Sequence, residues 1–506
     1  MMRLIGKFMY ATHRILGTVL CLVFLMWFLS AFVMMYHRFP RVGASQIRER
    51  SELLSATDAG QWLPVDSTLS RLPNDFRVSG LTLSRYLGQT KFTASSGRKQ
   101  VEVPVSPEET LLSGDERLQR ILQVWGQGQS VERIDTLTEL DQFVPFGSMK
   151  KQLPIYRYHF SGPEEYQLYI GSTTGDILQF TDKDQRFWAW LGAIPHWIYF
   201  TWLRQNQTAW TQTVIWSSGI GCLMVIAGMW VGIDVWRKSR RTSKRSGIDI
   251  KPYRKRWYRL HYTFGLVFGI ICLTFAFSGM MSMMDTPQWI HHTTMTVSPT
   301  RVLQSAKPSP KEYLLDYRKV LAAYPEAKEM TWNNFRNHPY YTVTGEDFLA
   351  YVDATDTVVK PLSLTREEIE EGVRQVYLAD SVFGGNVPDM EIESIDHYET
   401  YYRNMSNMLH GAEQLPVWKI SVSDPDNSTF YVQPKTGAVR YVSTSSRWHY
   451  WMYTALHRMR IGVLNENAFM RKTVLWVLLI GGTVVSATGV VLGVNYVRRK
   501  CRKRSI

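Results

Sequence analysis

At 506 residues, 45% of them hydrophobic and with a formal net charge of +14, the chain exceeds one ordinary domain, and its apolar residues gather in runs that argue for membrane spans joined by soluble modules. Three of the four cysteines (Cys21, Cys222, Cys272) lie inside those runs and Cys501 in the basic tail, which leaves no disulfide framework or thiol nucleophile for the modules. No C-x-x-C-H, P-loop, G-x-S-x-G or helix-opening G-x-G-x-x-G occurs, which argues against c-type haem, an ATPase, a common serine hydrolase and a built-in nicotinamide or flavin domain.

In chain order, residues 1–37 form a short basic N-terminus and a first span, Ile15 to Tyr36. It reads as a retained signal anchor, because the nearest small-x-small site, Gly43 to Ser45, lies well beyond its end. Residues 38–187 form a first outward region. Residues 188–236 supply an aromatic, interfacial helix and a second span, Thr211 to Ile233. A basic loop, 237–259, leads to the third span, Tyr262 to Met284, within 260–285. A second outward region, 286–446, is followed by another interfacial helix and the fourth span, Thr473 to Val497, within 447–497, and by the basic tail 498–506. Each span runs more than twenty residues without Asp, Glu, Lys or Arg, enough to cross a hydrocarbon core of roughly 30 Å as helix. The loop 237–259 holds eleven Lys and Arg, the tail six and residues 1–14 three. Short basic loops stay on the cytoplasmic side, so both termini and the loop lie inside and the two large regions face outward. The positive charge then meets anionic lipid by default, and it also suits an acidic soluble partner. Nothing points to nucleic acid.

The outward regions carry the signature of antiparallel strands around a Thr-Gly turn. Leu153 to Arg157, Tyr166 to Ile170 and Thr174-Gly175 align at a constant offset with Leu415 to Lys419, Ser428 to Val432 and Thr436-Gly437. A helix is predicted before each, Glu108 to Trp125 and Thr365 to Leu378, the second opened by Thr365 and Glu368 in capping-box spacing. Tyr86 to Val103 and Tyr340 to Val359 read as a further strand portion upstream. Each outward region is thus expected to hold two small helix-plus-sheet modules.

The spans repeat too. His13, Gly17 and Ser30 recur as His261, Gly265 and Ser278, and Trp190, His196, Gly228 and Arg237 recur as Trp451, His457, Gly489 and Arg498. Each half runs in, out and back, so the halves are parallel repeats related by an axis along the membrane normal, in an α+β membrane protein built on a four-helix bundle. Equivalent residues then sit at equal depth on opposite sides of that axis, which brings His13 level with His261 near the inner surface and His196 level with His457 near the outer one. Two imidazoles on opposite faces of a haem iron give a six-coordinate centre suited to electron transfer. Gly17 and Gly265, one turn from the inner histidines, would open room for a porphyrin edge, although small residues also serve helix packing. Ionisable residues at span level default to function. A lone histidine at a helix end is more often structural, and His37, His159, His291, His292, His338, His397, His410 and His449, which lack a repeat partner, are read that way. An outer metal site at His37, His291 and His292 has nothing to fix its geometry, and no zinc motif is present. Arg204, Arg458 and Arg460, beside the outer histidines, suit haem propionates or an anionic chelate, or simply lipid phosphate.

The phrase Leu260 to Gly265 with Ser278-Gly279, and Ala455 to Arg458, resemble the PepSY-associated transmembrane helix family, and the Thr-Gly hairpins after a helix resemble the PepSY module itself. That family includes inner-membrane proteins of bacterial iron acquisition that bind b-type haem and reduce ferric siderophores. The resemblance implies haem ligation at His13, His261, His196 and His457, two b-type haems, a cytoplasmic electron donor and a periplasmic ferric chelate as substrate. Pro195, Trp197 and Ala31 depart from the motif in the first half. A different class of function stands beside this one: a membrane-anchored PepSY binding or regulatory protein without redox activity, for which two anchors would suffice and the duplicated histidines would go unexplained. A transporter built on the parallel repeat ranks last, for want of a broken span or midplane carboxylate.

Overall fold

The structure is a computed structural model and describes residues 2–55, 60, 62–97, 99–106, 108–247, 251–287, 289–290, 295–304, 312–403 and 414–504. It is mixed α+β, with three antiparallel sheets and four helices long and apolar enough to cross a membrane: α1 (Met2–Met34), α2 (Gln207–Ser246), α3 (Arg256–Met281) and α4 (Ala468–Arg504). The chain divides into two compact units, one made of 1–41, 130–285 and 448–506, the other of 42–129 and 286–447.

The first unit contains the four apolar helices. α1 packs against both α2 and α4, and so does α3, which places α1 and α3 on one diagonal of the bundle. Phe24, Phe28, Met224, Val225, Cys272 and Leu479 form its interior, and close approach is possible because glycine meets aromatic rings: a Cβ at Gly482 would collide with Phe28, and one at Gly221 would lie 2.8 Å from Phe24. Outward positions are apolar as well, Val19 and Leu22 being 67% and 64% exposed, as suits a helix long and apolar enough to cross a membrane. The same unit holds the sheet β4 (Val131–Leu137), β5 (Ile155–Phe160), β6 (Gln167–Gly171) and β7 (Ile177–Thr181), in that order.

The second unit holds β1 (Gly80–Tyr86), β2 (Gln89–Ser96), β3 (Lys99–Pro104), β8 (Glu329–Phe335), β9 (His338–Thr344), β10 (Leu349–Asp353), and a sheet in the order β11 (Met390–Ile395), β12 (Val417–Val422), β13 (Thr429–Val432), β14 (Val439–Val442). Here the structure departs from the expectation of two modules per outward region. β1 to β3 and β8 to β10 are two meanders that join edge to edge, with Leu81 opposite Trp332 and Leu83 opposite Met330, into one six-stranded sheet ordered β10-β9-β8-β1-β2-β3. Pairing β1 with β8 removes two open edges that would otherwise invite association with other chains. The residues facing inward from this sheet, Leu81, Leu83, Phe92, Met330, Trp332 and Tyr341, make the largest core of the unit.

The Thr365 capping box is present, opening the helix Arg366–Ala379, whose Ile369, Val373, Val376 and Tyr377 recur at helical spacing to pack on Ile420 and Phe430. The other helix is Gly114–Gly126, shorter than expected and opened by a capping box of Ser113 and Glu116. It belongs to the second unit, where Trp125 Nε1 donates to Tyr86 Oη at 2.8 Å. Both Thr-Gly turns require their glycine: Gly175 and Gly437 have φ of +69° and +67°.

Candidate functional site

The matched histidines meet in pairs. The rings of His13 on α1 and His261 on α3 have centroids 6.0 Å apart, and those of His196 and His457 are 6.1 Å apart. His13 reaches across because α1 and α3 are diagonal, so side chains at one depth on both helices converge on the bundle axis. Ser30, which contacts His196, lies seventeen residues beyond His13, or about 25 Å along a helix, which separates the two pairs by most of a bilayer core.

Each imidazole is held through the same atom. His13 Nδ1 donates to the Met224 carbonyl at 3.1 Å, and His261 Nδ1 to the Val485 carbonyl at 3.1 Å, with Thr488 Oγ1 also at 3.1 Å. Met224 and Val485 are equivalent positions of α2 and α4, so the two bonds are one bond seen twice. Ser30 Oγ spends its proton on the Met26 carbonyl at 2.7 Å and accepts from His196 Nδ1 at 3.2 Å, while that nitrogen also reaches the Trp27 carbonyl at 3.2 Å. Ser278 Oγ donates to the Thr274 carbonyl at 2.6 Å and accepts from His457 Nδ1 at 3.0 Å. A carbonyl can only accept, so Nδ1 carries the proton at His13, His261 and His196, and the Ser278 hydroxyl, its own proton committed, asks the same of His457. In the neutral imidazole this leaves Nε2 as an unprotonated acceptor, and no described residue hydrogen-bonds it in any of the four. Burial pushes the pKa of His196 and His457 down, which keeps both imidazoles neutral.

The backbone stops where these rings need it to. His196 lies in the last turn of a short helix, Ala193–Trp197, and His457 lies in Leu456–Arg458 after a π-helical turn, Tyr450–Ala455. Two residues past each histidine the chain turns left-handed, at Ile198 (φ +53°) and Met459 (φ +49°). A β-branched residue is strained there, so a left-handed step at both equivalent positions ties the break to the aim of the imidazole. Glycine makes room for the other pair: a Cβ at Gly228 would lie 2.5 Å from His13 Cε1, and one at Gly489 3.5 Å from His261 Cε1. At Gly17 and Gly265 an added Cβ would meet no atom within 4 Å, so both positions border open space.

Two imidazoles bound through nitrogen on opposite faces of one metal ion, each at about 2 Å, stand with ring centres roughly 6 Å apart. Both pairs have that spacing, a neutral tautomer with Nε2 available, and an Nδ1 anchored by a second partner, the arrangement that orients a ligating histidine. No group of three or more His, Cys, Asp or Glu suited to a metal occurs among the described residues.

The arginines divide. Arg204 lies in an aromatic cage, its guanidinium 4.5 Å from the Trp210 ring, 4.7 Å from Phe146 and 5.0 Å from Tyr199, and donates to Gln207 Oε1 at 2.7 Å. Arg458 is exposed and stands one ring from the pair: it lies 5.1 Å over Tyr453, which stacks on His457 at 5.4 Å. Among the unmatched histidines, His37 stacks on Trp188, His159 pairs with Asp135, His338 with Glu368 and His397 with Asp396. His291, His292 and His410 lie outside the described residues.

Sequence reasoning noted Ser30, Ser278, Gly228 and Gly489 as repeated letters and gave them no role; their constant offset from the histidines was the signal. It missed a second duplicated constellation altogether. Arg157 bridges Asp135 at 2.5 Å and Asp141 at 2.8 Å, with Tyr169 Oη donating to Asp141 at 3.1 Å; Lys419 bridges Glu393 at 2.8 Å and Glu399 at 2.9 Å, with Tyr431 Oη donating to Glu399 at 2.6 Å. Every acid, base and phenol of the one has its counterpart in the other; the bases and phenols fall in the aligned hairpins, while the acids lie upstream of them and differ in letter, which hides the brace. Comparison with known proteins returns no matching family model and no matching curated relative.

Proposed function

We propose that this chain is an inner-membrane oxidoreductase in which His13 with His261, and His196 with His457, each hold one b-type haem between two parallel repeats. Electrons pass from a cytoplasmic donor, an acidic flavoprotein suiting the basic inner face, to a ferric chelate such as a ferric siderophore on the periplasmic side. The observation that carries this reading is that four histidines from two halves of the sequence form two pairs with ring centroids 6.0 and 6.1 Å apart, each ring anchored through Nδ1. Bound there, haem supplies one-electron exchange at a six-coordinate iron that rearranges little between its redox states.

The tasks of the chain are to space, aim and insulate. The Met224 and Val485 carbonyls and the Ser30 and Ser278 hydroxyls fix ring orientation and raise the basicity of Nε2. The apolar interior of Phe24, Phe28, Cys272 and Leu479 lies between the two pairs and excludes water. No side chain needs to move a proton, because reducing Fe(III) in the chelate consumes one electron and breaks no covalent bond. The hard oxygen donors of a siderophore hold the smaller charge of Fe(II) less firmly, so reduction favours release.

A pyridine haemochrome assay on purified protein tests this. Red protein with a Soret band that sharpens on dithionite is expected, with His13→Ala and His457→Ala each lowering haem per chain separately. Colourless protein from haem-replete cells, or full haem in the variant lacking all four histidines, sinks the reading and leaves the anchored binding protein.

A further inference from the structure

Outside the bundle, the end of the β1–β2 hairpin borders a polar hollow of about 100 Å³. Leu87 and Gly88 turn the chain there at φ of +59° and +79°. The Gln89 side chain donates to the Thr110 carbonyl at 2.8 Å and accepts from the Leu112 amide at 3.1 Å, which fixes the segment before the helix Gly114–Gly126 as one wall. Lys91 of β2, Glu102 of β3 and Arg117 of the helix line the hollow together. Glu102 Oε2 takes Lys91 Nζ at 2.8 Å and Arg117 Nη1 at 3.2 Å, so two cations share one carboxylate. The lysine is only 6% exposed, and burial pushes its ammonium below the ordinary value against the pull of Glu102. Two donors are left over. Arg117 Nε is buried with no hydrogen-bond partner among the described residues, and Tyr86 Oη, which accepts from Trp125 Nε1 at 2.8 Å, donates its own proton to no described residue.

The second meander shows that the fold does not require these charges. β8 to β10 repeat β1 to β3 at a constant offset: Leu87 and Arg336 both turn at positive φ (+59° and +57°), Leu83 opposite Phe92 corresponds to Trp332 opposite Tyr341, and Thr93 opposite Glu102 to Thr342 opposite Tyr351. Lys91 and Glu102 therefore correspond to Tyr340 and Tyr351. Arg117 follows the capping-box Glu116, and its counterpart Ile369 follows the capping-box Glu368. Tyr340 and Ile369 are buried, with Tyr351 packed against their core. One copy fills these positions with an apolar core; the other leaves them charged around a hollow, an arrangement that well-packed apolar side chains would replace without loss if stability were its only purpose.

We propose that this hollow binds a monoanionic carboxylate with a short apolar body, its oxygens held by Arg117, Lys91 and Tyr86. Each property follows from the lining. Two cations against one carboxylate suit a single negative charge, and Glu102 repels a dianion. Guanidinium N–H groups match carboxylate oxygens as a fork, while a neutral ligand leaves the buried donors poorly answered. Leu87, buried, and Leu111, 38% exposed, both line the hollow, so a short carbon chain finds apolar contact from the interior outward. Cavities of about 150 Å³ hold a benzene ring, so this one admits a carboxylate and a few carbons and is too small for a ferric chelate. The site therefore stands apart from the redox reading above. Its ligand chemistry occurs both on a free short-chain acid and at the C-terminus of a peptide ending in a small apolar residue.

The test is fluorine NMR of trifluorobutanoate and of its amide, titrated with the full chain in phosphatidylcholine nanodiscs. The acid should show saturable broadening and bind at least about tenfold tighter than the amide. Arg117→Gln should weaken the acid by roughly tenfold and leave the amide unchanged, and Arg117→Lys should restore part of the loss. Lys91→Met, which keeps Glu102 paired with Arg117, should weaken the acid as well; should that buried substitution unfold the chain, the half-exposed Arg117 pair of variants decides. Equal affinity for acid and amide, no saturable broadening by the acid, or an acid preference that survives Arg117→Gln overturns the proposal. Displacement of the fluorinated acid by isobutyrate supports a free acid as the ligand, and displacement by Ala-Val with a free C-terminus but not by its C-terminal amide supports a peptide end. Colourless protein that still prefers the acid sinks the redox reading and leaves this site standing.

Discussion

Replacing Gly228 by alanine separates an aimed histidine from a merely packed one. The new Cβ would lie 2.5 Å from Cε1 and 2.6 Å from Nδ1 of His13, where carbon contacts are comfortable only from about 3.5 Å. The ring must therefore retreat by about 1 Å. It cannot do so and keep its anchor, because the Met224 carbonyl that accepts from Nδ1 at 3.1 Å sits one turn below Gly228 on the same helix, and the same retreat stretches that bond past the useful limit of about 3.5 Å. Overpacking of this kind costs about 1–3 kcal/mol. Helix propensity runs the other way, favouring alanine over glycine by up to about 1 kcal/mol, so a loss cannot be blamed on the helix. The control is built into the chain: at the equivalent Gly489 the nearest atoms to an added Cβ are Cys21 Cβ at 3.3 Å and His261 Cε1 at 3.5 Å, a fit that needs only a few tenths of an ångström. Gly228→Ala should lose about half of the bound haem by pyridine haemochrome, with one low-spin signal missing from the electron paramagnetic resonance spectrum, while Gly489→Ala keeps both. If Gly228→Ala retains full haem and both signals, or if Gly489→Ala is just as damaging, the ring is not held as described and the ligand role of His13 fails with it.

Ser278→Ala removes the hydroxyl that accepts from His457 Nδ1 at 3.0 Å, a bond worth about 0.5–1.5 kcal/mol; haem should stay bound while the midpoint potential of the outer haem rises, since a less basic imidazole donates less to iron, and a redox titration with two unshifted steps would contradict this. In the sheet β4 to β7, the Arg157 hydrogen bond holds the Asp135 carboxyl down to about 2. A depressed acid stabilises the fold fully above its unfolded pKa of about 3.9 and loses that contribution as pH falls toward 2. Asp135→Asn should therefore lower the melting temperature of the full chain at pH 7 and flatten its decline between pH 4 and pH 2; parallel curves for the two proteins would show that the ion pair adds nothing.

The depth of the histidines was legible because a helix advances a fixed 1.5 Å per residue: equal spacing from His13 to Ser30 and from His261 to Ser278 fixes equal height in any bundle of parallel repeats. The four apolar helices were legible for a similar reason, since length and lack of charge alone decide whether a helix suits a membrane. The capping box at Thr365 is a local hydrogen-bond pattern and could be read locally. The ionic braces could not: Arg157 and Lys419 fall at aligned positions, but their acids, Asp135 with Asp141 and Glu393 with Glu399, lie outside the aligned stretches, at a different offset and with different letters.

What the sequence determined by itself is the inventory along each helix and its period: which residues recur, how far apart, and which runs shun water. These follow from covalent geometry and hydration, and need no partner. Only the tertiary structure decided which elements face one another. The pairing of β1 with β8, more than two hundred residues apart, merged two expected modules into one sheet through backbone hydrogen bonds that any strand edge could make. The meeting of His13 with His261 depended on α1 and α3 falling on a diagonal rather than side by side, a choice made by glycines that let neighbouring helices close around them.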